Sequence, residues 1–175
     1  MAAQAQDAVC EAEKLLRMGE PLLAYNAVQQ ALADRPDEYR LRQLKGLALA
    51  RSGAMRRANE ELATLRDEGR VDGETLGLLA RTHKDLGLAA TDAAERERHL
   101  AAAFEIYATG YRQSDHSGAV AEAYYTGINS ATMALLRGQI EHAREIAAEV
   151  EKLCQQALQD VTEDAYWPQA TLAEA

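Results

Sequence analysis

Apolar side chains in this chain return every three or four residues, and short polar stretches carrying glycine interrupt them. Leu76, Leu79 and Ala80 keep that spacing, as do Leu100, Ala103, Phe104 and Tyr107. Tyr124, Ile128, Ala131 and Leu135 repeat it, followed by Ala143, Ala147 and Val150 and a continuation through Leu153, Cys154 and Ala157. This is the period of an amphipathic helix, and no segment alternates apolar and polar residues over a useful length. The pattern predicts helices only. Asp92 and Glu95 stand three apart, the spacing of a capping box, so a helix is expected to begin at Asp92 after a linker at Leu88 to Thr91. The cluster of Ser, Asp, His, Ser and Gly at residues 113–118 is the longest loop expected.

A longer period lies over the short one. Gly19, Gly53 and Gly87 are spaced 34 residues apart, and Gly138 follows later. Leu15 then maps onto Leu49, Ala24 onto Ala58, Val28 onto Leu62, Ala31 onto Leu65 and Ala12 onto Gly46, with Pro36 closing the first unit. Two antiparallel helices approach closely only where facing side chains are small, and Ala12 with Ala24, and Gly46 with Ala58, are expected to supply that contact. The spaced glycines would let the chain turn between helices without a Cβ penalty. Small residues at fixed slots of a 34-residue unit resemble the tetratricopeptide (TPR) repeat, a helix–turn–helix. The expectation is an all-α, TPR-like α-solenoid of about four helical hairpins plus a C-terminal capping helix. It is read as one repeat domain over residues 1–175. The units fall at 5–36, 39–70, 73–115 (with an insertion near 88–99) and 117–160, and a final helix at 165–175 starts around Tyr166 and Trp167. A turn is expected at residues 161–164. Pro168 suits a helix's first turn, where its missing N–H has no internal partner. The chain ends inside what reads as the first half of a fifth unit, as expected of a piece of a larger protein or of a lone capping helix.

Composition narrows the function. There are 36 alanines in 175 residues, and aromatic residues make up only 5%, so the core is expected to be helices packed at close range. The net charge is −9, which argues against nucleic acid or anionic lipid as a partner. Residues 1–72 hold 11 basic and 12 acidic side chains, and residues 73–175 hold 8 and 16. No run of 18 apolar residues exists, so no membrane span is expected. Cys10 and Cys154 are expected to be reduced, buried thiols, as in a cytoplasmic protein.

Residues 70–175 bring a more specific resemblance. The helix Glu74 to Asp85 carries Arg81, Lys84 and Asp85 as Arg–x–x–Lys–Asp; Gly127, Ile128 and Asn129 follow, and then Tyr166 and Trp167. These words resemble the TRAFs-binding domain, found in the regulatory region of apoptosis-signal-regulating kinases and in bacterial proteins. The resemblance implies a TPR-like array that scaffolds a neighbouring effector domain and carries no catalytic residues. His83 stands where that family has an aromatic residue. The Ala- and Arg-rich composition suggests a bacterial signalling protein, so a TRAF partner is not implied.

Catalytic chemistry finds no footing in the motifs. His83, His99, His116 and His142 form no i, i+4 pair on one helix, and HExxH, CxxC, phosphate-loop and Gly-x-Ser-x-Gly patterns are absent. No enzyme, metal or cofactor is expected. Binding residues are proposed instead on the first helices of the hairpins, which line the inner face of a TPR array. Arg81 and Lys84 would offer positive charge to a carboxylate or an acidic peptide, and Tyr125 and Asn129, on the equivalent helix of the next unit, would add hydrogen bonds. Arg81 can equally pair with Asp85 four residues on, and Asn129 can brace repeat packing. The function expected is a protein- or peptide-binding scaffold; a small-molecule or nucleotide sensor and a self-associating homo-oligomer are the alternatives.

Overall fold

A computed structural model describes residues 2–117, 119–160 and 166–174. They form nine α-helices and no strand. The all-α, TPR-like fold expected from the glycine and alanine slots is the fold of the chain. The residues divide into two compact units, 1–86 and 87–175, and the boundary falls inside α5.

The first unit holds α1 (Ala2–Arg17), α2 (Pro21–Asp34), α3 (Tyr39–Arg51), α4 (Met55–Asp67) and most of α5 (Gly73–Ala89). Gly19 and Gly53 turn the chain at φ +78° and +86°, in the left-handed region that a Cβ penalises. The backbone NH three residues beyond each helix closes onto a carbonyl inside it, Glu20 to Leu15 at 2.9 Å and Ala54 to Leu49 at 2.9 Å, so the two hairpins share one capping geometry. Starts are capped by carboxylates: Glu38 accepts from the Leu41 NH at 2.7 Å, and Asp72 from the Thr75 NH at 2.9 Å. Ala12, Ala24, Ala48 and Ala58 are fully buried, beside Val28, Leu41 and Leu62. The residue above Gly46 is Leu62: a Cβ built at Gly46 would lie 2.8 Å from Leu62 Cγ. The close crossing of α3 and α4 is thus a leucine seated on a glycine, where the sequence suggested Gly46 against Ala58.

The second unit holds the end of α5, α6 (Ala93–Ser117), α7 (Val120–Leu136), α8 (Ile140–Asp160) and α9 (Tyr166–Glu174). Asp92 starts α6 as expected, its carboxylate accepting from the Glu95 NH at 2.7 Å; the linker expected at Leu88 to Thr91 is shorter, because Leu88 and Ala89 are the last residues of α5. Gly138 repeats the turn of Gly19, at φ +78°. Gly87 does not. It lies within α5, two residues before the end, buried beneath Leu100, whose Cδ2 would be 2.9 Å from an added Cβ. The 34-residue spacing therefore holds while the third glycine's role changes from turning to packing. The polar cluster expected as a loop is instead the last turn of α6 up to Ser117; Gly118 lies outside the described residues, as does the turn expected at 161–164. Ser114 explains the extension: it is buried, and its hydroxyl donates to Glu122 on α7 at 3.3 Å. Pairing across helices satisfies a side chain that would otherwise favour a loop. α7 packs against α6, α8 and α9, and its Gly127 sits under Val150 and the Tyr111 ring. Among the described residues no helix is long and apolar enough to cross a membrane, and no three His, Cys, Asp or Glu side chains are placed to hold a metal.

The two cysteines differ. Both are free thiols, but Cys10 is exposed and Cys154 is buried in the α7–α8 core. The expectation that both are buried is corrected for Cys10, which lies on the outer side of α1. Burial also raises the Cys154 thiol pKa, which removes thiolate, the reactive form. Native protein treated with a thiol-specific maleimide is expected to take up one label, at Cys10, and a second only on denaturation, as read by intact mass.

Candidate functional site

The residues most densely joined in the first unit lie on one face built by α1, α3 and α5. On α3 the stripe is Arg40, Gln43, Leu47 and Arg51, spaced by three, four and four residues, and on α5 it is Glu74, Leu78, Arg81 and Asp85, spaced by four, three and four. Helical geometry brings each set to one side of its helix. The ends of this face differ in chemistry.

At the N-terminal ends of α3 and α5 the face is a polar network. Gln43 is buried, and its amide nitrogen meets Thr75 Oγ1 at 2.7 Å, the Tyr39 hydroxyl at 2.9 Å and the Asp72 carboxylate at 3.1 Å. The Tyr39 and Thr75 hydroxyls are themselves 2.5 Å apart. Arg40 spans three helices, donating to Glu13 on α1 at 2.7 Å, to Glu74 on α5 at 2.6 Å and to Gln43 at 3.1 Å. Burial works against the Arg40 charge, but the bonds and fields of Glu13 and Glu74 outweigh it and raise its pKa. The Arg70 guanidinium stacks on the Tyr39 ring with its carbon 5.1 Å from the centroid. Asp72 and Thr75 of this network also form the cap of α5, so helix start and interhelix bonding depend on the same Asp72.

At the C-terminal ends the face turns apolar and cationic. Leu47, Ala50, Met55 and Leu78 line a notch of about 20 Å³, with Arg51 and Arg81 at its rim. Arg51 is held in place by donating to the Leu16 carbonyl at the end of α1, at 2.9 Å. Arg81 is exposed, with Asp85 at 3.9 Å. A pair at that distance and exposure contributes about 0–1 kcal/mol and leaves the guanidinium accessible to another anion. Lys84, half-buried, follows one turn later on α5.

The chain matches the family described as Tetratricopeptide Repeats-Sensor (TPR-S) over residues 21–134, from the first residue of α2 into the last turns of α7. It belongs to the TPR-S family. No curated protein and no solved structure matches it. Families of TPR type are in general non-catalytic interaction or sensor modules.

Within this TPR-S chain the four residues singled out from sequence fall into two sets. Arg81 and Lys84 share α5 in the first unit. Tyr125 and Asn129 share α7 in the second, where the Asn129 amide donates to the Tyr125 carbonyl at 2.9 Å, and the half-exposed Tyr125 ring meets Tyr107 edge to face at 6.4 Å. Gln43, Arg40, Thr75 and Asp72 were not anticipated. One signal was legible: Arg40 and Glu74 are 34 residues apart, so the repeat register puts opposite charges in one slot of successive hairpins, and they bond. Gln43 and Thr75 gave no such signal, because a Gln and a Thr on helices read as solvated until a partner helix covers them.

Proposed function

We propose that this TPR-S chain is a non-catalytic sensor or interaction module whose α1–α3–α5 face takes an acidic peptide or protein segment. One observation carries the reading: two guanidinium groups, Arg51 and Arg81, stand over an apolar notch in a chain of net charge −9. A carboxylate side chain suits that pair of cations, because the fork of an arginine binds carboxylates in two-bond geometry, and an aliphatic neighbour can rest across the shallow apolar floor without entering it. The polar network at the other end holds α1, α3 and α5 in fixed register, which lowers the ordering cost of binding. Tyr125 and Asn129 remain proposed partner contacts of the second unit, and the scaffold of a bacterial, cytoplasmic signalling protein is the setting we propose. The likeness of residues 70–175 to TRAFs-binding domains supports the same regulatory role.

Arg81→Glu and Lys84→Glu test this reading. With a library of decapeptides carrying Glu or Asp beside Leu, each variant is expected to weaken the best wild-type binder about tenfold or more, while the stability of Arg81→Glu, at an exposed position, stays within about 0.5 kcal/mol. Unchanged affinity, or a large loss of stability, rejects the face as the binding surface. The family description favours a second reading, a small anionic ligand at the same arginines. A melting shift with nucleotides or dicarboxylates that Arg81→Glu abolishes, together with no peptide binding, would establish it.

A further inference from the structure

The second unit carries a separate opening that the acidic-ligand reading does not use. A groove of about 410 Å³ runs between α7 and α8, floored by Ile128, Ala131, Ala143 and Ala147, with Glu174 of α9 contributing a further carboxylate to its lining. At its mouth Leu135 and Ile140 are about half exposed. Leaving such apolar surface in water is unfavourable, at roughly 25 cal/mol per Å², and grooves of this kind mark sites of association.

The charges on its α8 wall are arranged in a particular way. Ile140, Arg144, Ala147 and Glu151 are spaced by four, three and four residues and so share one narrow stripe of α8. The midpoint of Arg144 and Glu151 falls between Ala147 and Ala148. Read outward from that midpoint, the stripe meets a small residue and then a charge in both directions, a cation on one side and an anion on the other. The acidic residues Glu145 and Glu149 project from the far side of the helix, and Glu149 there accepts from the Tyr111 hydroxyl at 3.2 Å. Among the described residues Arg144 is bonded along its own helix, to Glu141 at 2.9 Å, with both side chains mostly in water. Exchanging such a pair for another costs little.

We propose that this groove is a self-association surface, and that its occupant is α8 of a second copy of the chain, laid antiparallel. About a two-fold axis through the Ala147–Ala148 midpoint, Arg144 faces Glu151 of the partner subunit, and Glu151 faces the partner subunit's Arg144. The alanines at the crossing let the two helices approach closely, and Leu135 and Ile140 of each copy leave water. An interface of this kind repeats every contact, so a stripe whose charges are complementary under reversal is what it requires. An unrelated acidic segment would satisfy Arg144 alone and oppose Glu151 and Glu174.

The test is a charge swap in the full chain, followed by sedimentation velocity across a wide range of protein concentration. Wild type is expected to dimerise reversibly. Arg144→Glu sets four carboxylates together, Glu151→Arg four guanidiniums, and each is expected to weaken dimerisation about tenfold or more. The double variant, Arg144→Glu with Glu151→Arg, regenerates both pairs and is expected to return to within a few-fold of wild type. Both positions are exposed, and matching melting curves establish that each variant is folded. A wild type that stays monomeric throughout overturns the proposal, whatever else is found to enter the groove. So does a dimer indifferent to both single reversals, or a double variant as weak as the singles. Because none of these variants touches α1, α3 or α5, peptide binding at Arg81 can fail or succeed independently.

Discussion

Leu62→Ala is expected to lower the unfolding free energy by about 2–5 kcal/mol, the range for a large buried aliphatic side chain cut to a methyl group. Leu62 is fully buried and seated directly on Gly46. Gly46→Ala probes the same crossing from below. Alanine is the better helix former by about 1 kcal/mol, yet its Cβ would lie 2.8 Å from two carbons of Leu62. Overpacking of that kind costs about 1–3 kcal/mol, so the variant is expected to be less stable than wild type despite its propensity. The double variant removes the obstacle. It should lose less than the sum of the single losses, by about 0.5–3 kcal/mol, as coupled neighbours do. Urea unfolding of the four proteins measures this. Strict additivity would mean that Gly46 and Leu62 do not share the contact.

The second large effect is expected at Gln43. Gln43→Leu adds apolar volume where Asp72, Thr75, Tyr39 and Arg40 all converge on an amide. Thr75 is fully buried, and each buried polar group left short of a partner costs about 1–3 kcal/mol. A total loss of about 2–4 kcal/mol is expected. The alternative outcome is informative: a loss under about 0.5 kcal/mol, typical of a solvated surface position, would mean that water reaches the network and replaces the amide. Amide hydrogen exchange in the first turn of α5 supplies a second readout. The Thr75 NH, bonded to the carboxylate that Gln43 helps to hold, should lose protection in the variant before the interior of α4 does.

The residues whose behaviour was legible in the sequence share a property. Gly19, Gly53 and Gly138 turn the chain, Asp92 caps α6, and Ala12, Ala24 and Ala58 are fully buried. Each of these is a local demand of the backbone or of a repeated slot, visible in one or two turns of helix. Arg81 paired with Asp85 belongs here too, since both lie on α5. The readings that changed involve partners on other helices. Gly87 keeps its 34-residue spacing but packs under Leu100. Ser114 belongs to a segment that reads as a loop until Glu122 on α7 meets it. Cys10 reads as core by its residue type and faces water on α1.

The candidate site divides along the same line. The cationic character of α5 at Arg81 and Lys84 is visible in the sequence, and so is the opposite charge of Arg40 and Glu74 in one repeat slot. The notch between Arg51 and Arg81 is not, since its walls come from α3, α4 and α5, and how far one helix slides along another decides which side chains close on it.

By itself, then, the order of residues determined the helices, their turns and the small-residue slots, and with them the TPR-like architecture. A 3.6-residue period and a 34-residue repeat are properties of the chain read in one dimension. Only the tertiary structure decided that Gln43 and Thr75 are buried partners, that Leu62 rests on Gly46, and that the α7–α8 groove stays open. Those outcomes depend on the offset and crossing of helices tens of residues apart, and side-chain volume at the contact sets that offset after the helices have formed.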